Sequence, residues 1–149
     1  MLLISLEPSY MAENIFIEQY LIFVIKAKQD LVLVREVSGN NVIAPEILLF
    51  HLQQAVEKLI KSLLTYNAVK FPKTHDLVDL VELAEDNHIA LPPFIDRLTE
   101  LTPYAVETRY AIIHDELHDI AEMLSETENF LEFVQNKLTT QPKGNLWRT

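Results

Sequence analysis

A chain of 149 residues is long enough for one domain with a buried core. Its formal charge of −10 argues against a protein that coats nucleic acid through clustered lysines and arginines, yet it leaves room for a small cationic cleft and suits a partner with a basic surface. The lack of cysteine excludes disulfides and thiolate metal sites, and it favours a reducing, cytoplasmic compartment. With only two glycines, the chain is expected to be helical.

Residues 1–14 are predicted to form an N-terminal extension. The apolar start lacks the basic region of a signal peptide, and its apolar run stops at Glu7 and Pro8, far short of a membrane span. Met11 is an alternative start for the protein. Since no other apolar run approaches spanning length, no membrane association is expected.

The spacing of apolar residues predicts two long helices in the first half of the chain. The first runs from about Ile15 to Glu36 and ends before Gly39, in a segment of glycine and asparagine that tolerates a left-handed cap. Pro45 suits the first turn of the second helix, which extends to about Tyr66. That helix is apolar around much of its circumference, so it is expected to be the most buried element.

Prolines divide the second half into shorter elements. Thr74 is expected to cap a third helix of about His75 to Asp86, and the Pro92-Pro93 pair separates it from a fourth that begins near Phe94.

Pro103 is expected to open a new turn after Thr102, because a proline inside a helix would cost about 3 kcal/mol. The last helix is predicted from about Leu117 to Leu138. The fold class is therefore all-α, an antiparallel up-and-down bundle of four or five helices. The predicted parts of the chain are the extension 1–14, the bundle 15–138 and the tail 139–149.

Three motifs in this order resemble the HEPN domain family (higher eukaryotes and prokaryotes nucleotide-binding). They are His51-Leu-Gln-Gln-Ala-Val-Glu-Lys58 in the second helix, Lys73-Thr-His-Asp-Leu77 at the start of the third, and Tyr104-Ala-Val-Glu-Thr-Arg-Tyr110. The resemblance covers about Ile15 to Leu138. It implies a homodimer that is often encoded beside a minimal nucleotidyltransferase. Many members are metal-independent endoribonucleases and act as toxins in toxin–antitoxin pairs.

The resemblance also implies a catalytic pair. Active members carry an arginine, four to six residues and then a histidine, and Arg109 and His114 match this signature at its shortest spacing. Arg109 would contact the scissile phosphate, and His114 would act as base or acid in strand cleavage. Five residues of a regular helix turn through roughly 500°, which leaves the two side chains about 140° apart. They converge only if the helix breaks between them or if a dimer assembles the site.

This chain departs from the catalytic pattern around His114. Tyr110 follows the arginine where active members usually have a polar residue, and Glu116 stands where related toxins have a tyrosine. Asp115 and Glu116 also add negative charge where a phosphate should approach. The favoured function is therefore a HEPN component that binds a nucleotide or docks a nucleotidyltransferase. An active endoribonuclease is the alternative, with RNA as its partner.

A second interpretation of the same segment is a metal site. His114 and His118 share a helical face at the spacing that binds zinc in metalloproteases, and Asp119 and Glu122 are possible oxygen ligands. The glutamate between the histidines is misplaced for that motif and no third ligand is evident, so no metal and no cofactor are predicted.

The remaining polar motif residues are expected to be structural. His51 and Gln54 are predicted to be hydrogen-bonded core or interface groups. His75 and Asp76 are predicted to occupy the first helical turn after Thr74, where an aspartate suits the helix dipole. Lys58 and Lys61 are expected to be solvated beside the buried stripe.

Overall fold

The computed structural model describes residues 8–105 and 118–140, with the side chains of residues 19–105 and 118–139. These residues form five α-helices and one 3₁₀ turn, and none of them lies in a strand, so the predicted all-α bundle is confirmed. The elements are α1 (Pro8–Val37), α2 (Pro45–Tyr66), α3 (Leu77–Asp86), α4 (Ile95–Thr99), the 3₁₀ turn (Thr102–Ala105) and α5 (Ile120–Thr140).

The first helix is longer than its sequence pattern predicts. It begins at Pro8 rather than near Ile15, because a proline without an N–H group is tolerated in a first helical turn and the apolar pattern does not mark that start. It ends at Val37, and Gly39 follows with a φ of +86°, as expected for the residue after the helix. The division of the chain at residue 14 stays a prediction.

The second helix is the centre of the bundle, and its predicted bounds are confirmed. It packs against α1, α3, α5 and the 3₁₀ turn. Its apolar residues are buried around most of the helix, among them Leu49, Leu52, Leu59 and Ile60, each at 0% exposure. Removing this much apolar surface from water is the main force that holds the bundle together.

The third helix begins two residues after its predicted start. Asp76, not Thr74, is the cap, and its side chain accepts from the Val78 N–H at 2.9 Å. Thr74 instead accepts from the Asp76 N–H at 3.0 Å, so it forms the turn before the cap. The Leu77 N–H donates to the Thr102 hydroxyl at 3.1 Å, which ties the start of α3 to the 3₁₀ turn.

The last helix closes the bundle against α1 and α2. Met123, Phe130 and Val134 are fully buried on its inner side. Arg97 of α4 donates to Glu122 of α5 at 2.6 Å, and this ion pair fixes the short helix against the long one. Within the described residues, none of the helices combines the length and the apolar composition that a membrane crossing needs.

Candidate functional site

The predicted catalytic residues Arg109 and His114 lie outside the described residues. Two described side chains on either side of that segment contact each other: the Tyr104 hydroxyl is 3.0 Å from His118 Nδ1. His118 Nε2 lies 3.0 Å from the Glu100 carboxylate, so Nε2–H donates there and Nδ1 accepts from Tyr104. The described chain before residue 106 and after residue 117 thus meets at one place on the bundle.

The described members of the alternative metal site have other partners. His118 uses both ring nitrogens for Tyr104 and Glu100. The Asp119 carboxylate accepts from the Glu122 N–H at the start of α5, and the Glu122 carboxylate pairs with Arg97. Among the described residues, no group of three or more potential ligands is arranged to hold a metal ion.

Glu57 is the centre of a buried polar network on α2. Its side chain is 6% exposed and accepts from Lys61 Nζ at 2.9 Å and from Gln53 Nε2 at 3.2 Å. His75 donates from Nδ1 to the same carboxylate at 2.9 Å. Gln53 also donates to the His75 carbonyl oxygen at 3.1 Å, and Gln54 donates to the Gln53 side-chain oxygen at 2.7 Å. The α2 motif and the motif before α3 are therefore two halves of one network.

The network keeps Glu57 ionised. Burial by itself raises the pKa of this carboxyl, but hydrogen bonds from Lys61, His75 and Gln53, together with the charge of Lys61, outweigh burial. The pKa of Glu57 therefore lies below its ordinary value. A buried carboxylate that is ionised and fully partnered holds α2 and the segment before α3 in one arrangement.

Asp30 forms a second unit of the same composition. It lies on α1, accepts from His51 Nδ1–H at 2.9 Å and accepts from Lys58 Nζ at 2.6 Å. The Asp30 side chain is 11% exposed, whereas His51 and Lys58 are each 25% exposed. His51 and Lys58 are two turns apart on one face of α2, so both reach the same aspartate.

These contacts correct some predictions and confirm others. The prediction that Lys58 and Lys61 are solvated is wrong, because Lys58 is paired with Asp30 and Lys61 with Glu57, and both lysine side chains are largely buried at 25% and 12% exposure.

The expected hydrogen bonds of His51 and Gln54 are confirmed. His75 and Asp76 were expected in the first turn of the third helix, but both precede α3, which begins at Leu77.

Sequence reasoning missed Asp30. The available signal was its position on α1, because Asp30 lies on the same buried stripe as Ala27, Leu31 and Val34. A buried charge is costly unless it is paired with a group of opposite charge.

Both units present a histidine that a carboxylate orients through Nδ1. In each unit, however, a lysine cancels the charge of the carboxylate, so the α2 network offers little net charge to hold a phosphate. The geometry suits the joining of helices better than it suits catalysis.

A mostly apolar cavity of about 410 Å³ lies beside the network, between α1 and the segment after α2. Its walls include Gln19, Phe23, Thr65, Val69, Lys70 and Phe71. Lys61 Nζ lies 5.3 Å from the centre of the Phe71 ring, which connects the cavity to the Glu57 network.

Two kinds of surface are exposed on the described helices. The outer face of α1 carries large aliphatic residues, with Ile25 at 52% and Val32 at 55% exposure. The outer face of α3 is acidic, and its exposed carboxylates are Asp79, Glu82, Glu85 and Asp86. These faces are the parts of the described bundle best suited to bind other molecules.

Comparison with known families supports the resemblance seen in the motifs. Residues 22–137 match the family model of the HEPN domain. The matched range contains all three motifs and extends from α1 to α5. Comparison with curated proteins and with solved structures finds no match.

Proposed function

The chain belongs to the HEPN domain family, and on that premise we propose that it is the helical component of a toxin–antitoxin-like pair. In this proposal it acts as a homodimer that binds a minimal nucleotidyltransferase or a nucleotide. The observation that carries the proposal is the internal pairing of the charged motif residues. Lys58 forms an ion pair with Asp30, and Lys61 forms one with Glu57. Because their charges are neutralised within the bundle, these lysines stabilise the fold rather than bind RNA phosphates.

The charge of the surface supports a protein partner. The net charge is −10, and the exposed outer face of α3 concentrates four carboxylates. A partner with a basic surface would associate with this face quickly, and the association would weaken at high salt. The nucleotidyltransferase is expected to contact the acidic face of α3.

The test is binding between the purified chain and a purified minimal nucleotidyltransferase. Glu82→Lys on the outer face of α3 is expected to weaken binding about tenfold, since it replaces attraction with repulsion across the contact. Glu132→Lys is the matched control, because Glu132 is an exposed carboxylate on another helix, α5. Equal binding by the wild-type chain and by both variants would remove α3 as the docking face.

An active endoribonuclease is the second candidate, and the spacing of Arg109 and His114 favours it. In this mechanism Arg109 offsets the charge that develops on the scissile phosphate, and His114 moves the proton of the attacking 2′-hydroxyl. Two chains would supply one base and one acid. The contact of Tyr104 with His118 supports this candidate, because it holds together the described residues on either side of that segment.

RNA cleavage in the presence of a chelator separates the two candidates. Cleavage that leaves cyclic phosphate ends, and that is lost in His114→Ala, would establish the ribonuclease. His88→Ala serves as the control, since His88 is exposed and lies outside the three motifs. A folded, dimeric protein without cleavage activity would leave the binding component as the function.

A further inference from the structure

A cavity of about 190 Å³ lies where three helices of the bundle end. Helix α2 ends at Tyr66, α3 ends at Asp86 and α5 ends at Thr140. The walls of the cavity come from all three ends and include Leu63, Tyr66, Asn67, His88, Ile89 and Lys137. Because Lys137 belongs to the last turn of α5, residues 141–149 begin beside this cavity.

The cavity has the size and the lining for one aromatic side chain. A cavity of about 150 Å³ is enough to bind benzene, so this one has room for a ring. Tyr66 and His88 supply ring surfaces, and Leu63 and Ile89 supply aliphatic ones. The Asn67 Nδ2 donates to the Leu63 carbonyl oxygen at 2.8 Å, so its Oδ1 is the atom that can accept a bond from a ring N–H. A tryptophan side chain, which is apolar except for one N–H donor, fits this combination.

The same end of the bundle is negatively charged. The aligned peptide dipoles of a helix place roughly half a negative charge at its C-terminus, and three C-termini meet around the cavity. Glu85 and Asp86 are exposed in the last turn of α3 and add two carboxylates. Lys137 offsets one of these charges, which leaves this end of the bundle attractive to further cations.

Residues 141–149 have the composition that such an end would bind. They contain Lys143 and Arg148 and no acidic residue, in a chain whose net charge is −10. They also contain Trp147, the only tryptophan of the chain. A basic segment with one large aromatic side chain is therefore complementary to the cavity in both charge and chemistry.

The length of this segment allows it to return to the cavity. Trp147 is seven residues beyond the end of α5 at Thr140, and seven extended residues span about 23 Å. Lys137 precedes the end of α5 by three residues, which is about 5 Å along the helix axis. Pro142 and Gly144 are residue types that favour a reversal of the chain direction.

We propose that residues 141–149 fold back over this end of the bundle and place the Trp147 side chain in the cavity. Lys143 and Arg148 then lie beside the carboxylates of Glu85 and Asp86. Burial of the indole ring supplies most of the stabilisation, because ion pairs at the surface contribute little. The inference goes beyond the proposed function, since it requires neither a nucleotidyltransferase nor RNA.

The larger cavity between α1 and the segment after α2 suits this tail less well. Its walls include the exposed Lys70, which repels a cationic segment, and none of the described residues that line it is a carboxylate. The cavity at the three helix ends also contains a lysine, but Glu85 and Asp86 outweigh that charge.

The first experiment measures the fluorescence of Trp147 in the full chain, to which no other tryptophan contributes. Quenching by acrylamide is expected to be about threefold weaker in the folded chain than in urea, because a buried ring is shielded from the quencher. Ala90→Arg should restore the quenching found in urea, since a bulky cation at this exposed wall residue fills the cavity and repels the tail. Ala68→Arg is the matched control, because Ala68 is an exposed wall residue of the larger cavity, and it should leave quenching weak. Circular dichroism checks that both variants keep their helices.

Three outcomes of this experiment would overturn the proposal. The first is equal quenching of the folded and the urea-unfolded wild-type chain. The second is weak quenching that Ala90→Arg leaves unchanged, including the case in which Ala68→Arg exposes Trp147 instead. The third is quenching that strengthens on dilution, because it would mean that the tail binds another copy of the chain.

The second experiment follows trypsin cleavage after Lys143 by mass spectrometry. A docked tail must be released before the protease can cut it, so Trp147→Ala is expected to speed this cleavage about tenfold. Asn145→Ala is the control within the same segment, because the proposal places no Asn145 contact in the cavity, and it should leave the rate close to that of the wild type. Equal cleavage rates for the wild-type chain and Trp147→Ala would show that the ring does not hold the tail.

Discussion

The two carboxylate–histidine–lysine units on α2 have the same chemistry but occupy different depths. Asp30, with His51 and Lys58, joins α1 to α2 where both partners reach solvent at 25% exposure. Glu57, with Lys61 and His75, joins α2 to the segment before α3 and is only 6% exposed, with Gln53 as a further donor. Because the free-energy cost of an unpaired charge rises with burial, the two units are expected to stabilise the bundle to different extents.

The largest expected effect comes from Glu57→Ala. This change leaves the donors of Gln53 and Lys61 buried without their acceptor, so it should lower the free energy of unfolding by about 3 kcal/mol. Denaturation by urea measures the change. Glu132→Ala on the surface of α5 should have almost no effect and serves as the control. A loss equal to that of the control would show that the Glu57 network contributes little to stability.

The corresponding change in the outer unit, Asp30→Ala, should cost less. His51 and Lys58 are partly exposed and regain hydrogen bonds to water when the aspartate is removed, so a loss of about 2 kcal/mol is expected. The same urea titration measures it. A larger loss than that of Glu57→Ala would reverse the order that burial predicts.

The pH dependence of stability should report the ionisation of Glu57. Because the pKa of Glu57 is lower in the folded protein than its ordinary value of 4.5, its contribution is fully present above about pH 4.5 and is lost as the pH falls through the folded value. Glu57→Gln lacks this titration. The difference in unfolding free energy between wild type and Glu57→Gln should therefore shrink as the pH is lowered below 4.5. A difference that stays constant down to pH 3 would show that Glu57 does not titrate as proposed.

The smallest effects are expected from the two histidines. His75 is 60% exposed, so His75→Ala should cost no more than about 0.5 kcal/mol, in the range of surface ion pairs. His51 is 25% exposed and packs edge-on against Phe50, so His51→Ala should cost about 1 kcal/mol. Thermal unfolding of both variants under one set of conditions tests the order. An equal loss of unfolding free energy in the two variants would indicate that the exposure of a histidine does not determine how much its contacts stabilise the protein.

Local sequence signals predicted the helices because such signals act over a few residues. Pro45 and the apolar periodicity gave the bounds of α2 correctly, and Gly39 marked the end of α1. The start of α3 was misassigned, because Thr74 and Asp76 both suit a cap and the choice depends on Thr102, which bonds to Leu77 from a distant part of the chain.

The partners of the α2 network depended on contacts that sequence spacing does not reveal. Lys58 and Lys61 were expected to be solvated, since lysine is rarely buried and no acidic partner is evident for Lys58 on α2 itself. Its partner Asp30 is 28 residues away on α1. The apolar outer face of α1 was also missed, because a single stripe of core residues already accounted for the pattern of that helix.

By itself the sequence determined the all-α class, the positions of most helices and membership of the HEPN family, because periodicity, caps and motif order are local properties of the chain. The tertiary structure decided which polar groups meet. It paired Asp30 with His51 and Lys58, and it drew the α2 motif and the α3 motif into one network around Glu57. Such pairings join residues from different helices, so they exist only after burial of the apolar stripes has packed those helices together.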